Sequence, residues 1–278
     1  MSTVAAVALR PRSTAAIVLA SVGGLLAFCW PLVVSPGSVL SEDGKAPLVF
    51  ALMLPVVLAV VLLEISEGGL DPKAVAMLGV LSAVGAALRP LSAGTAGIEL
   101  VFFLLVLAGR VFGPGFGFVL GATTLFASAL LTGGVGPWLP YQMLGSAWVG
   151  MFAGLLPRVP RRWEVLLLAA YGAVAGLLYG MLLNLSFWPF GIGGDTGLSF
   201  VPGGSPWDNL HRFVLFSFTT SLGWDLGRAV TNAVLILVTG KAVLATLRRA
   251  ARKAAFSQTA HVATGSSPAT TPDAAAAG

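Results

Sequence analysis

Asp225, Arg228 and Asn232 follow one another at spacings of three and four residues in the stretch GWDLGRAVTNAVL. On a helix those spacings place all three on one face. A lone charge held centrally in a membrane costs about 3 kcal/mol, and pairing lowers that cost. The group therefore has two uses. Asp225 and Arg228 can form a structural pair that fixes the helix end, or Arg228 and Asn232 can turn polar atoms toward a ligand. Arg89 and Glu99 flank a short Gly/Ser/Thr loop in LRPLSAGTAGIEL and offer similar chemistry. The stretch TGGVGPWLPYQM, residues 132–143, supplies Trp138, Tyr141 and Gln142 for stacking and hydrogen bonding. Its prolines and glycines predict a rigid loop rather than a helix. A third segment, residues 183–213, mixes glycines and prolines with Asn184, Trp188, Phe190, Phe200 and Trp207. It predicts a packed lid, since loops this long are uncommon unless functional or disordered. Singly, such aromatics read as an interfacial belt. Together on one side they read as a binding mouth.

The chemistry on offer is recognition, not reaction. No G-x-x-x-x-G-K-[ST] run is present, so the chain brings no nucleotide site of its own. Neither H-E-x-x-H nor G-x-S-x-G occurs. The two histidines, His211 and His261, are far apart, and Cys29 is the single cysteine, so no metal cluster is expected. The apolar runs hold no chain of carboxylates that could relay protons.

The elements that must position these residues follow from composition. Of 278 residues, 56% are hydrophobic and 10% charged; a soluble domain carries about 25% charged residues. Mean hydropathy is +0.91. Such a chain has to face lipid, and a net charge of +5 is too small and scattered for a nucleic-acid surface. The expected class is all-α, a polytopic membrane helical bundle of about eight spans at 13–34, 47–66, 72–89, 97–112, 115–133, 141–157, 163–187 and 223–247. The first run is too long for a signal-peptide core and reads as an uncleaved span. The 97–112 run is short, and the alternative is a broken unit with its successor at Gly113-Pro114-Gly115. Lys and Arg gather on one side, at Arg10, Arg12, Lys73, Arg110, Arg158, Arg161, Arg162 and the 248–253 cluster, against Lys45, Arg89, Arg212 and, at the start of the last span, Arg228. This predicts a multi-pass protein of the cell membrane with both termini cytoplasmic. The LRRAARKAAF segment is a basic helix end suited to anionic headgroups. Beyond about residue 256 the low-complexity sequence predicts disorder. Small residues recur at four-residue spacing at Gly79, Ala83 and Ala87, with Ala76 in another register, and at Gly117 and Gly121. Such stripes let helices approach closely in lipid.

AMLGVLSAVGAALRP, AGRVFGPGFGFVLGATTLFASALLTGGVGPWLPYQMLGSAWVGMFAGLLP, YGAVAGLLYGMLLNLSFWP and DLGRAVTNAVLI together give the chain its likeness. Over about residues 72–253 it resembles the substrate-binding S-components of energy-coupling factor (ECF) transporters. The resemblance implies a six-helix core at 71–253, with 1–70 as a two-helix membrane addition and 254–278 as a disordered tail. It implies no catalysis and no intrinsic cofactor. It also implies a ligand pocket beneath the outer loops, and partnership with a coupling membrane protein and two cytoplasmic ATPases through toppling of the subunit. The substrate-binding candidates are then Arg89, Glu99, Trp138, Tyr141, Gln142, Asn184, Trp188, Arg228 and Asn232. The candidates for the coupling-protein interface are Ala76, Gly79, Ala83 and Ala87. The broad aromatic mouth favours cobalamin as ligand, with riboflavin or another heteroaromatic vitamin as the alternative. A reading from a different class is an integral-membrane enzyme or assembly factor.

Overall fold

The computed structural model describes residues 11–33, 53–67, 72–92, 95–191 and 196–264. These form ten helices: α1 Pro11–Phe28, α2 Trp30–Val33, α3 Met53–Glu67, α4 Pro72–Ser92, α5 Phe102–Phe112, α6 Pro114–Thr132, α7 Leu139–Leu155, α8 Arg161–Gly191, α9 Pro206–Thr220 and α10 Leu222–Thr264. Five of them, α1, α4, α6, α8 and α10, are long and apolar enough to cross a membrane, and α3 and α5 are shorter apolar helices.

Glycine fixes the centre of the bundle. Gly113 alone separates α5 from α6, at φ 99°, a conformation other residues rarely adopt. Pro114 then opens α6 at a position where its missing N–H is no loss. The two helices fold into a fork, and α7 lies in it. A Cβ on Gly109 or on Gly117 would overlap the Gly150 carbonyl, and one on Gly121 would overlap the Ser146 carbonyl. One on Gly154 would come within 2.6 Å of the Pro114 nitrogen. Backbones this close gain dispersion contacts where no hydrophobic drive exists between helices in lipid. A second seam joins α8 to α10. There Gly172, Gly176 and Gly180 lie one turn apart and face Ile236, Ala229 and Asp225. The Gly117/Gly121 stripe is thus internal packing.

Three sequence expectations change. The 97–112 run is not a full span: α5 covers only 11 residues, about 16 Å at 1.5 Å per residue against a core of about 30 Å. Its first residues, 97–101, are irregular. The 132–143 stretch is a loop only from Gly133 to Trp138, because α7 begins at Leu139 with Pro140 in its first turn. Residues 183–213 are not one long lid. Helix α8 continues to Gly191 past Pro189, and α9 starts at Pro206. Proline near a helix end disturbs few hydrogen bonds, which is why these prolines did not mark loops.

The 13–34 run divides into α1 and α2 at Cys29. Helices α1 and α3 pack together, Ser13 donating to the Glu64 carboxylate. They lie on α6, α7 and α8. Trp148 Nε1 donates to Ser21 Oγ at 2.9 Å, and Phe28 stacks edge-on against Tyr141 at 4.9 Å. Helix α4 packs on α6 instead, with Ser82 and Thr123 hydroxyls 2.8 Å apart. Helix α10 runs to Thr264, beyond the expected start of the disordered tail; residues 265–278 of that tail lie outside the described residues.

Candidate ligand-binding site

Arg89 lies in the last turn of α4, and Ala96 and Gly97 press against the start of α10. A Cβ on Gly97 would overlap the Trp224 carbonyl, and one on Gly227 would overlap the Ala96 carbonyl. Gly97 has φ 77° and Ala96 has φ 42°, so both take the left-handed conformation. This clamp aims Glu99 at α10, where Arg228 Nε donates to Glu99 Oε2 at 2.7 Å.

Arg228 is the hub. Its Nη1 donates to Asp225 Oδ1 at 2.8 Å and to the Gly176 carbonyl at 3.3 Å. Its guanidinium carbon stands 5.3 Å from the centre of the Tyr179 ring, in range for a cation–π contact. The three charged side chains are 14%, 15% and 7% exposed for Arg228, Glu99 and Asp225. Gly180 leaves room for the Asp225 carboxylate, which any Cβ there would overlap. Both carboxylates thus pair with the one guanidinium, as buried charge requires a partner. Across the site Arg89 Nη2 donates to Gln142 Oε1 at 3.0 Å. No carboxylate pairs with Arg89 among the described residues.

These groups border a cavity of about 350 Å³, whose walls include Arg89, Glu99, Gln142 and Arg228 together with Ser128, Tyr179 and Trp224. Such a volume lies at the small end of ligand pockets. Ser128 is fully buried and its hydroxyl has no hydrogen-bond partner. A buried polar group left unpaired is costly.

The other candidates lie outside the cavity lining. Successive residues are about 100° apart on a helix, so Tyr141, next to Gln142, faces α1 and reaches the Ala27 carbonyl at 3.4 Å. Tyr179 and Leu183 line the cavity from α8, whereas Asn184 lies round the helix from them and outside the lining. Trp188 is fully buried in a separate cluster with Leu185, Phe213 and Phe216, and its indole N–H donates to the Leu198 carbonyl at 2.7 Å. Trp138 is 53% exposed on its loop and donates back to the Gly134 carbonyl. Asn232 is fully buried in the α8–α10 seam, its amide donating to the Arg228 carbonyl at 2.9 Å. Ser128, Thr132, Tyr179 and Trp224 were not among the sequence candidates. The one usable signal was Tyr179, a polar-tipped aromatic well inside an apolar run.

A family model for the ECF transporter, substrate-specific component, matches residues 73–238. The chain belongs to this family. It is therefore a subunit of a membrane transporter and not an enzyme, and the family works with an ECF module on a small-molecule substrate. The matched stretch of this S-component runs from the start of α4 well into α10. It contains every charged group of the cavity, while α1 and α3 lie outside it. No curated protein and no solved structure matches the chain.

Proposed function

We propose that this S-component captures a small organic ligand from outside the cell in the Arg89–Arg228 cavity and delivers it inward with a coupling membrane protein and two ATPases. The observation that carries the reading is convergence. Arg89, Glu99, Gln142 and Arg228 come from four separate segments and meet at one cavity. In a chain with so few charges, that arrangement favours binding over scaffolding. Arg89 offers a guanidinium to an oxo, carboxylate or phosphate group, and Tyr179 and Trp224 offer ring faces.

Cavity size bears on the ligand. About 350 Å³ suits a heteroaromatic vitamin of riboflavin's size. Cobalamin, with its corrin ring and nucleotide loop, is much larger than this space. The smaller ligand is therefore the reading favoured here, and cobalamin serves as the comparison.

Helix α4 supplies the candidate coupling surface. Leu78, Ser82, Gly85 and Ala86 face inward, while Ala76, Gly79, Ala83 and Ala87 are exposed. A Cβ on Gly79 would meet nothing within 4 Å. Helices α1 and α3 pack elsewhere, on α6, α7 and α8, so this small-residue face stays open to another helix. The Lys/Arg distribution supports cytoplasmic termini, which places the cavity on the outer side.

The test is binding of purified protein to a vitamin panel that includes riboflavin and cobalamin, with pull-down of the ATPases from native membranes. A ligand with Kd below about 10 μM and co-purifying ATPases are expected. Absence of both would sink the transporter reading for this cavity.

A further inference from the structure

A second cavity of about 350 Å³ opens at the opposite end of the bundle, between the start of α8 and the far part of α10. Arg161 and Arg162 border it from α8, and Lys241 and Arg248 from α10. Its one acid, Glu164, is already engaged: Arg110 Nε donates to it at 3.0 Å and Arg248 Nη2 at 2.6 Å. Arg161, Arg162 and Lys241 are left with no carboxylate partner among the described residues. Three like charges around one concave space repel each other and attract an anion.

The surroundings say what kind of anion. Val165 and Leu244 also line the cavity, so its wall is apolar below its cationic rim. Trp163, beside Arg162, is 52% exposed, with the Arg162 guanidinium carbon 6.0 Å from its ring centre. Leu166, one turn further in, is also half-exposed. Exposed tryptophan at a span end marks headgroup depth, and Lys241 can lay its aliphatic stem along the apolar wall while its ammonium reaches that depth. A cationic rim over an apolar wall matches a phosphodiester joined to acyl chains. A free phosphate would use the rim alone.

We propose that this cavity binds the phosphate of an anionic phospholipid in the cytoplasmic leaflet. The leaflet follows from the orientation proposed above; the lipid chemistry follows from the cavity itself, and it adds a lipid site to the ligand site at the outer end. Arg248 and Arg110, held by Glu164, shape the wall, while Arg161, Arg162 and Lys241 make the contacts.

The experiment is native mass spectrometry of the full chain, released from neutral detergent and titrated with dioleoyl phosphatidylglycerol or dioleoyl phosphatidylcholine. Phosphatidylglycerol should bind at least about 10-fold more tightly, given the contribution of each basic residue near an anionic headgroup. The triple variant Arg161→Gln/Arg162→Gln/Lys241→Gln should erase that preference. Arg12→Gln/Lys73→Gln/Arg158→Gln, which removes equal charge outside the cavity and outside the basic end of α10, should keep it. If the first triple variant does not fold, Arg162→Gln and Lys241→Gln singly should each weaken the preference several-fold. Equal binding of the two lipids would overturn the proposal, as would equal loss in both triple variants. Full displacement of phosphatidylglycerol by an equal concentration of glycerol 1-phosphate would assign the cavity to a soluble phosphate ester instead.

Discussion

Glu99 and Arg228 are 129 residues apart in the chain and 2.7 Å apart in space. That bond ties the loop after α4 to the start of α10 and closes one wall of the cavity. It makes Arg228 a shared partner of two carboxylates. Glu99→Gln should therefore cost about 1–3 kcal/mol, less than the 3–5 expected when a buried charge is fully orphaned, because Asp225 still pairs. Glu99→Gln/Asp225→Asn should cost more than the sum of the single changes. Thermal unfolding of the purified variants checks both; simple additivity would mean that the two carboxylates act independently.

The fork of α5, α6 and α7 leaves no room at Gly150, where a Cβ would overlap the Gly117 carbonyl. Gly150→Ala should destabilise by about 3 kcal/mol and yield aggregated protein on size-exclusion chromatography. Gly79→Ala has open space and should stay within about 0.5 kcal/mol of the parent.

What the sequence revealed depended on rarity. Arg89, Glu99 and Arg228 were legible because an ionisable residue in an apolar chain is expensive and needs a use. Gln142 stood out as a polar tip in the glycine- and proline-rich TGGVGPWLPYQM stretch. Tyr141 and Trp188 were drawn to the mouth by type alone, and the packing shows them facing α1 and the α9 cluster. Asn232 was drawn there by its spacing from Arg228, but one turn further along α10 that face meets Gly172 of α8. Ser128 was invisible, since a serine in a span usually returns its hydroxyl to its own backbone. Helix α9 was hidden by the glycines and prolines around it, although its buried Phe213, Phe216 and Ser217 mark an inward face. The Gly172, Gly176 and Gly180 stripe followed the same four-residue spacing as the stripes on α4 and α6, and its role emerges only beside Asp225 and Ala229.

Ala83 lies on the open face of α4. Ala83→Trp should abolish assembly with the coupling protein and transport, because a bulky side chain holds helices apart. Ligand binding by the isolated subunit should persist. Co-purification and a binding assay on the same preparation read both; loss of binding would place the stripe within the bundle's own packing.

Sidedness is tested by thiol labelling in a Cys29→Ser background. A cysteine at Gly203, in the loop before α9, should react with an impermeant reagent from outside intact cells. One at Arg161 should react only after permeabilisation. The reverse pattern would invert the orientation and move the Arg89 cavity to the cytoplasmic side.

Arg89 decides the central claim, because among the described residues its one side-chain hydrogen bond is to the neutral amide of Gln142. With the vitamin that binds the parent protein, isothermal titration calorimetry of Arg89→Ala should show affinity lowered about 10- to 100-fold, the worth of a charged hydrogen bond. Its melting temperature without ligand should barely change. Unchanged affinity in Arg89→Ala would contradict the assignment of this cavity as the substrate site.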